Sequence, residues 1–213
     1  MTDRYDVSHL PEGQYEPGSR GRVLKNLLGI KSRKEMDALE TDQYIRALDV
    51  CSHRYRRDHR FTAKDLRDMH HEWLGGIYSW AGTYRQVNLS KGDFPFATAE
   101  HIPSLISEFE KNILAVWTPC QGGTIPRDAK ALAIVHAEFI LIHPFREGNG
   151  RLGRMLSDLM ALQAGFLLLD YGDIKGKKRD FYFSAVQAAT RRDYQPMQQV
   201  FEEVIRKTMR KYV

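Results

Sequence analysis

"AKALAIVHAEFILI", residues 129–142, is the stretch on which the fold turns. On a helical wheel its apolar side chains point almost all the way round, interrupted only by Lys130, His136 and Glu138. A surface helix shows one apolar stripe, whereas a helix this apolar has to be enclosed by others. Thr124 ahead of Pro126 supplies its start, because a hydroxyl residue caps orphan N–H groups and proline is tolerated in a first turn. Downstream, Leu152, Met155, Leu156, Leu159 and Met160 repeat at i, i+3, i+4, i+7 and i+8, so a second helix turns a single stripe to the core.

The flanking sequence extends the same pattern. Thr62 with Asp65 makes an approximate capping box at the start of "RFTAKDLRDMHHEWL" (60–74), and Thr98 stands as an N-cap before "AEHIPSLISEFEKNILAVW" (99–117). Two further helices are expected near 179–190 and 195–210. Only "YRQVNLSKGDFPFA" (84–97) breaks the period, alternating Val87 and Leu89 before a Ser-Lys-Gly-Asp turn, which predicts a short β-hairpin. Residues 1–20, rich in Gly, Pro and polar side chains, are expected to run over the surface as an arm with little regular structure. The expected fold is all-α: a single helical bundle spanning 21–213, with a small β-hairpin set into it.

Composition narrows the function classes. A chain of 213 residues with 42% hydrophobic and 11% aromatic residues can fill a core. It has no apolar run of eighteen residues, and its first residues lack the basic and apolar regions of a secretory signal, so a cytoplasmic protein without membrane contact is expected. Cys51 and Cys120, far apart and outside any CxxC spacing, read as free thiols. The net charge of +5 clusters in 18–34, 54–60 and 206–211, which read as solvated helix faces and ends; nucleic acid is not an expected partner.

Between the two core helices lies "HPFREGNGRLGR", residues 143–154. Gly148 and Gly150 leave room where the backbone bends and where a ligand can approach, and the helix that starts there aims unpaired N–H groups outward. That is an anion site. Arg151 and Arg154, three residues apart, can converge on one polyphosphate. Glu147 offers a hard oxygen ligand suited to Mg²⁺ beside phosphates. His143 is suited to take a proton from a hydroxyl. Each feature alone is commonplace, but together they place a base, a metal ligand, a phosphate cradle and two cations within twelve residues.

These residues resemble the complete signature of the Fic family, His-x-Phe-x-Asp/Glu-Gly-Asn-Gly-Arg-x-x-Arg, with every defined position filled. The likeness runs from about residue 20 to the C-terminal helices, through "WAGTYR" (80–85) and the hairpin, which would be the family's flap over about 85–97. The resemblance implies a protein adenylyltransferase, which moves AMP from ATP to a Ser, Thr or Tyr hydroxyl of another protein and releases pyrophosphate. Carried onto this chain, His143 would be the general base, Phe145 a core anchor and Glu147 the Mg²⁺ ligand. Gly148, Asn149 and Gly150 would cradle phosphate, Arg151 and Arg154 would neutralise the β- and γ-phosphates, and Lys91, Gly92, Asp93 and Phe94 of the flap would meet the target. Small bacterial members of the family include toxins that modify type II topoisomerases, which makes such an enzyme an expected kind of target.

Three alternatives compete. A Doc-like protein kinase would carry an Ala-Asn-Lys cradle, against which both glycines speak. A hydrolase using His143 and Glu147 as metal ligands lacks a second well-spaced histidine pair, since His70 and His71 are adjacent and His136 lies seven residues upstream. A binding module would hold a nucleotide or nucleic acid in the same loop without chemistry. As for control, many members of the family carry an inhibitory Ser/Thr-x-x-x-Glu-Gly/Asn helix. Ser8 and Glu12 fit that pattern loosely, so the arm is a candidate restraint in which Glu12 would pair with Arg154. The competing expectation is a small antitoxin acting in trans.

Overall fold

The computed structural model describes residues 10–212. Helix α1, Arg33–Arg54, opens at Ser32, whose side chain accepts from the Glu35 amide, and α2, Ala63–Leu74, opens at Thr62 with the expected capping box to Asp65 closed in both directions. The hairpin is β1, Ser90–Lys91, and β2, Phe94–Pro95, antiparallel, with Ser90 opposite Pro95 and Lys91 opposite Phe94. Then follow α3, Ile102–Phe109, which runs on through a π-helical turn, Glu110–Leu114, into the short α4, Ala115–Trp117. The remainder is α5, Ile125–Ile142; α6, Asn149–Gln163; α7, Lys177–Ala188; and α8, Gln195–Tyr212.

Helix α5 is the axis of this bundle, as its sequence requires. It packs against α3, α6, α7 and α8, and Ala129, Leu132, Ala133, Val135, Ala137 and Phe139 are all buried along it. The stripe of Leu152, Met155, Leu156, Leu159 and Met160 is buried without exception. At Gly153 α6 packs tightly on α5: a Cβ there would lie 3.1 Å from His136 and 3.2 Å from Ile140. Both cysteines are free and buried. Among the described residues no helix is long and apolar enough to cross a membrane.

The expected short hairpin is present, with Val87 and Leu89 lying ahead of its two-residue strands. The Val87 carbonyl is taken by the Arg85 guanidinium at 2.6 Å, and the Asn88 side chain accepts from the Ala99 amide at 2.8 Å, so this backbone is diverted from the ladder. Gly92, with φ 58°, provides the positive φ that a two-residue hairpin turn demands. The described part of the arm is more ordered than expected. It forms a 3₁₀ turn at Pro11–Gly13, pairs Tyr15 with Leu24 in an antiparallel bridge, and buries Glu12 and Ser19.

Candidate active site

The loop between α5 and α6 is shaped by three residues. His143 ends α5 in the left-handed region, with φ 51°. Phe145 is fully buried and stacks on His70, with ring centroids 4.0 Å apart and planes 9° apart. Asn149 closes the loop on itself, its Oδ1 accepting from the Phe145 amide at 2.9 Å and its Nδ2 donating to the Phe145 carbonyl at 2.7 Å. Asn149 is only 2% exposed, so its side chain shapes the loop and only its backbone is offered to a ligand. Gly148, with φ 84°, begins α6; a Cβ there would meet the Trp73 ring at 2.7 Å. Around Gly150, by contrast, nothing lies within 4 Å of a built Cβ, which leaves open space at the N-terminus of the helix.

That space belongs to a cavity of about 850 Å³, within the range of small-molecule sites. His143, Glu147, Gly148, Asn149, Gly150 and Arg154 line one side of it, while Lys91, Phe94 and Phe96 of the hairpin segment and Arg179, Tyr182 and Phe183 of α7 close it. The His143 imidazole lies under Phe96, centroids 3.7 Å apart and planes 10° apart. Its Nδ1 sits 3.1 Å from the Ile140 carbonyl, which places the proton on Nδ1 and leaves the Nε2 lone pair free. Burial pushes the His143 pKa down to about 4, so the ring is neutral at pH 7. Glu147 is 38% exposed; one carboxylate oxygen accepts from the Gly148 amide at 2.9 Å and lies 3.9 Å from the Arg151 guanidinium, and the other has no hydrogen-bond partner among the described residues.

The two arginines of the loop part company. Arg151 turns into the protein, pairing with the buried Glu40 and lying over the Trp73 ring at 4.5 Å, and it does not line the cavity. Glu40 is held in turn by the Tyr78 hydroxyl at 2.7 Å. Convergence of both guanidinium groups on one ligand is therefore not what the structure displays. Arg154 does line the cavity, beside the Tyr171 ring, and forms no ion pair among the described residues. With Lys91, Arg146 and Arg179 it gives the cavity wall its positive charge.

Of the hairpin residues, Lys91 reaches across to α7, its ammonium 3.6 Å from the centre of the Phe183 ring, and Phe94 packs edge-on against Phe96. Gly92 and Asp93 are exposed at the turn and do not line the cavity. The candidate restraint is not formed in this structure. Ser8 lies outside the described residues, and Glu12 gives its carboxylate to the Gln86 amide at 2.6 Å, with no ion pair to Arg154.

Several residues at the site carry no motif. Arg85, 1% exposed, donates to four carbonyls: His143 at 2.7 Å, Val87 at 2.6 Å, Ala97 at 2.5 Å and Ile142 at 3.4 Å. His70 accepts from the Gly82 amide at 2.8 Å and donates to the Glu147 carbonyl at 3.1 Å, linking α2 to the loop. Ser157 donates to the Gly153 carbonyl, so its oxygen accepts from His136 Nδ1 and leaves Nε2 to accept from the Tyr182 hydroxyl at 2.7 Å in the cavity wall. The adjacent histidines and the arginine of "WAGTYR" were visible in the sequence, but nothing in their spacing announced these partners.

Fold and site together define a helical bundle that offers a glycine loop and a helix N-terminus to an anion, with a neutral histidine beside them. Residues 60–161, just under half of the chain, match the Fic/DOC family. The protein adenylyltransferase VbhT of Bartonella schoenbuchensis is 29% identical over 164 residues, covering 76% of this chain and 33% of VbhT. A relative named "Probable protein adenylyltransferase Fic" in Escherichia coli K12 is 27% identical over 144 residues, covering 66% of this chain and 68% of that protein. The chain thus spans about a third of one relative and two thirds of the other. Among solved structures, the BepC protein of Bartonella tribocorum with bound AMPPNP matches with a TM-score of 0.72 at 24% identity, covering 92% of this chain and 97% of that one. The N-terminal Fic domain of a VirB-translocated effector from Bartonella quintana with bound ADP gives 0.66 at 26% identity, covering 85% and 89%.

Proposed function

We propose that this chain is a protein adenylyltransferase, transferring AMP from ATP to a protein hydroxyl. The observation that carries the reading is the meeting, in one cavity, of a neutral His143 protonated on Nδ1, an open α6 N-terminus and an Arg154 with no ion pair among the described residues. In the reaction the hydroxyl oxygen forms a bond to the α-phosphorus, the bond from that phosphorus to the bridging oxygen breaks, the proton passes to His143 Nε2 and pyrophosphate departs. A base near the nucleophile and positive charge near the leaving group are what in-line displacement needs. The amides of Asn149 and Gly150 present the positive end of α6, the Gly148 amide being held by Glu147, and Arg154 supplies a formal charge one turn further on.

Glu147 fits a magnesium ion. Mg²⁺ is commonly held by one or two carboxylates plus substrate phosphates, and Glu147 is a single, partly exposed carboxylate at the cavity wall. When bound, the ion would neutralise phosphate charge. Among the described residues no cluster of three His, Cys, Asp or Glu could hold a metal without such phosphates. The hairpin is placed to meet the target protein. Addition of a target strand to it would use Lys91 and Phe94 at the cavity and Gly92 and Asp93 at the turn.

The named adenylyltransferase relatives support the transfer reading. A type II topoisomerase in the cytoplasm, the target that the motif resemblance implies, is the first to assay. Restraint by a separate small antitoxin is the form of control favoured by an Arg154 that has no ion pair among the described residues. The test is incubation with Mg²⁺, cell lysate and ATP labelled on either the α- or the γ-phosphate. Label from the α-position is expected on protein and label from the γ-position is not; the reverse would assign a Doc-like kinase, and no label a binding module.

A further inference from the structure

The sequence pattern around Glu12 suggests an inhibitor, yet its contacts are those of a clamp. Its carboxylate accepts from the Gln86 amide at 2.6 Å, and its own carbonyl accepts from Arg146 Nε at 2.9 Å. Gln86 lies at the root of the hairpin segment, and Arg146 lies in the loop between Phe145 and Glu147. One residue of the arm, 5% exposed, therefore grips both halves of the site.

Arg85 joins the same halves from inside. Its guanidinium holds Val87 and Ala97, the two legs of the hairpin, to Ile142 and His143 at the end of α5, and its amide donates to the Pro144 carbonyl at 2.9 Å. Burial pushes the Arg85 pKa down to about 10, and the charge of Glu12 opposes that shift. The carboxylate of Glu12 thus sits on the amide next to a buried cation that fixes the backbone of His143. Removing it leaves the Gln86 amide without its acceptor.

We propose that Glu12 is a positioning residue that fastens the hairpin root onto the loop carrying His143, so that the arm promotes transfer and does not restrain it. The kinetic part rests on the adenylyl-transfer reading; the structural part does not. The two roles of Glu12 have opposite signs: loss of an inhibitory carboxylate raises activity, and loss of a clamp lowers it.

The test compares parent, Glu12→Ala and Glu12→Gln, the last keeping an oxygen that can accept from Gln86. Hydrogen exchange is followed at backbone amides 86–97 and in α5 and α6, together with Mg-ATP binding by calorimetry and transfer of α-labelled AMP to lysate protein. Glu12→Ala is expected to speed exchange at 86–97 with α5 and α6 unchanged, to bind Mg-ATP within about twofold of the parent, and to lose transfer by about tenfold to a hundredfold, as misplacement of reacting groups does. Glu12→Gln is expected to restore most of both. Unchanged exchange at 86–97, a rise in transfer, failure of Glu12→Gln to rescue, or general unfolding of Glu12→Ala would each overturn the proposal. If the parent transfers no AMP at all, the exchange experiment still decides the clamp, while the functional reading falls separately.

Discussion

The Phe96 ring covers the face of the His143 imidazole, 3.7 Å away and nearly parallel to it. The segment proposed to receive the target is thus in contact with the proposed base. Flattened stacking restricts the imidazole to rotation in one plane, and the Nδ1 contact to Ile140 fixes it within that plane. Phe96→Ala should free the ring and let water reach it. Because burial is what holds the His143 pKa near 4, exposure is expected to raise it toward the ordinary value of 6.5, which NMR titration of the His143 ring would record. Transfer should fall about tenfold or more, with Mg-ATP binding little changed.

The two glycines of the loop separate structure from ligand. Gly148→Ala forces a side chain into the left-handed region and against Trp73 at 2.7 Å, two penalties that together amount to about 2–4 kcal/mol. A lowered thermal midpoint is the expected result. Gly150→Ala meets no protein atom within 4 Å and sits in a helix, so stability should hold or rise slightly. Its added methyl instead occupies the open space at the helix terminus, and calorimetry should show weakened nucleotide binding with an unchanged melt.

How much of this was legible beforehand follows from what kind of interaction each residue makes. Helix α5 could be read because burial on every face requires apolar residues on every face. The Thr62 cap could be read because both partners lie within one turn. The partners of Arg151 could not: Glu40 lies 111 residues away, on a helix whose sequence gives no sign of facing the loop. Arg85 is a harder case, since a buried arginine satisfied by four carbonyls leaves no complementary acid to find. The hairpin was legible in place, and its strands stop at Ser90 and Pro95 because the Arg85 guanidinium takes the Val87 and Ala97 carbonyls that a longer ladder would have used.

The unequal settings of Arg151 and Arg154 give a direct contrast. Arg151→Ala would strand the buried Glu40 without its cation, and breaking a buried pair costs about 3–5 kcal/mol, reduced here because Arg151 is itself a quarter exposed. A large drop in denaturant midpoint is expected. Arg154 has no ion pair among the described residues, so Arg154→Ala should cost about 1 kcal/mol or less and act on nucleotide binding. Equal losses of stability in the two variants would contradict this division of labour.

Acid should destabilise the fold through its buried histidines. Burial holds His70, His136 and His143 each at about pKa 4, below the 6.5 of an unfolded chain. Between pH 6.5 and 4 the unfolded chain therefore binds more protons at these three sites, and stability falls as the pH falls. Asp158 works in the opposite direction. Burial raises it to about 7, although the Leu169 amide and Arg154 favour its charged form, so between pH 7 and 3.8 the folded chain binds the extra proton and gains stability on acidification. Near pH 5 the histidines outweigh the single aspartate, and each net proton changes the unfolding free energy by about 1.4 kcal/mol per pH unit. Urea midpoints measured from pH 7 to 4.5 should fall throughout the lower part of that range. In Asp158→Asn, which removes the opposing group while keeping an acceptor for Leu169, the fall should be steeper, and a slope equal to that of the parent would show that Asp158 does not titrate in this window.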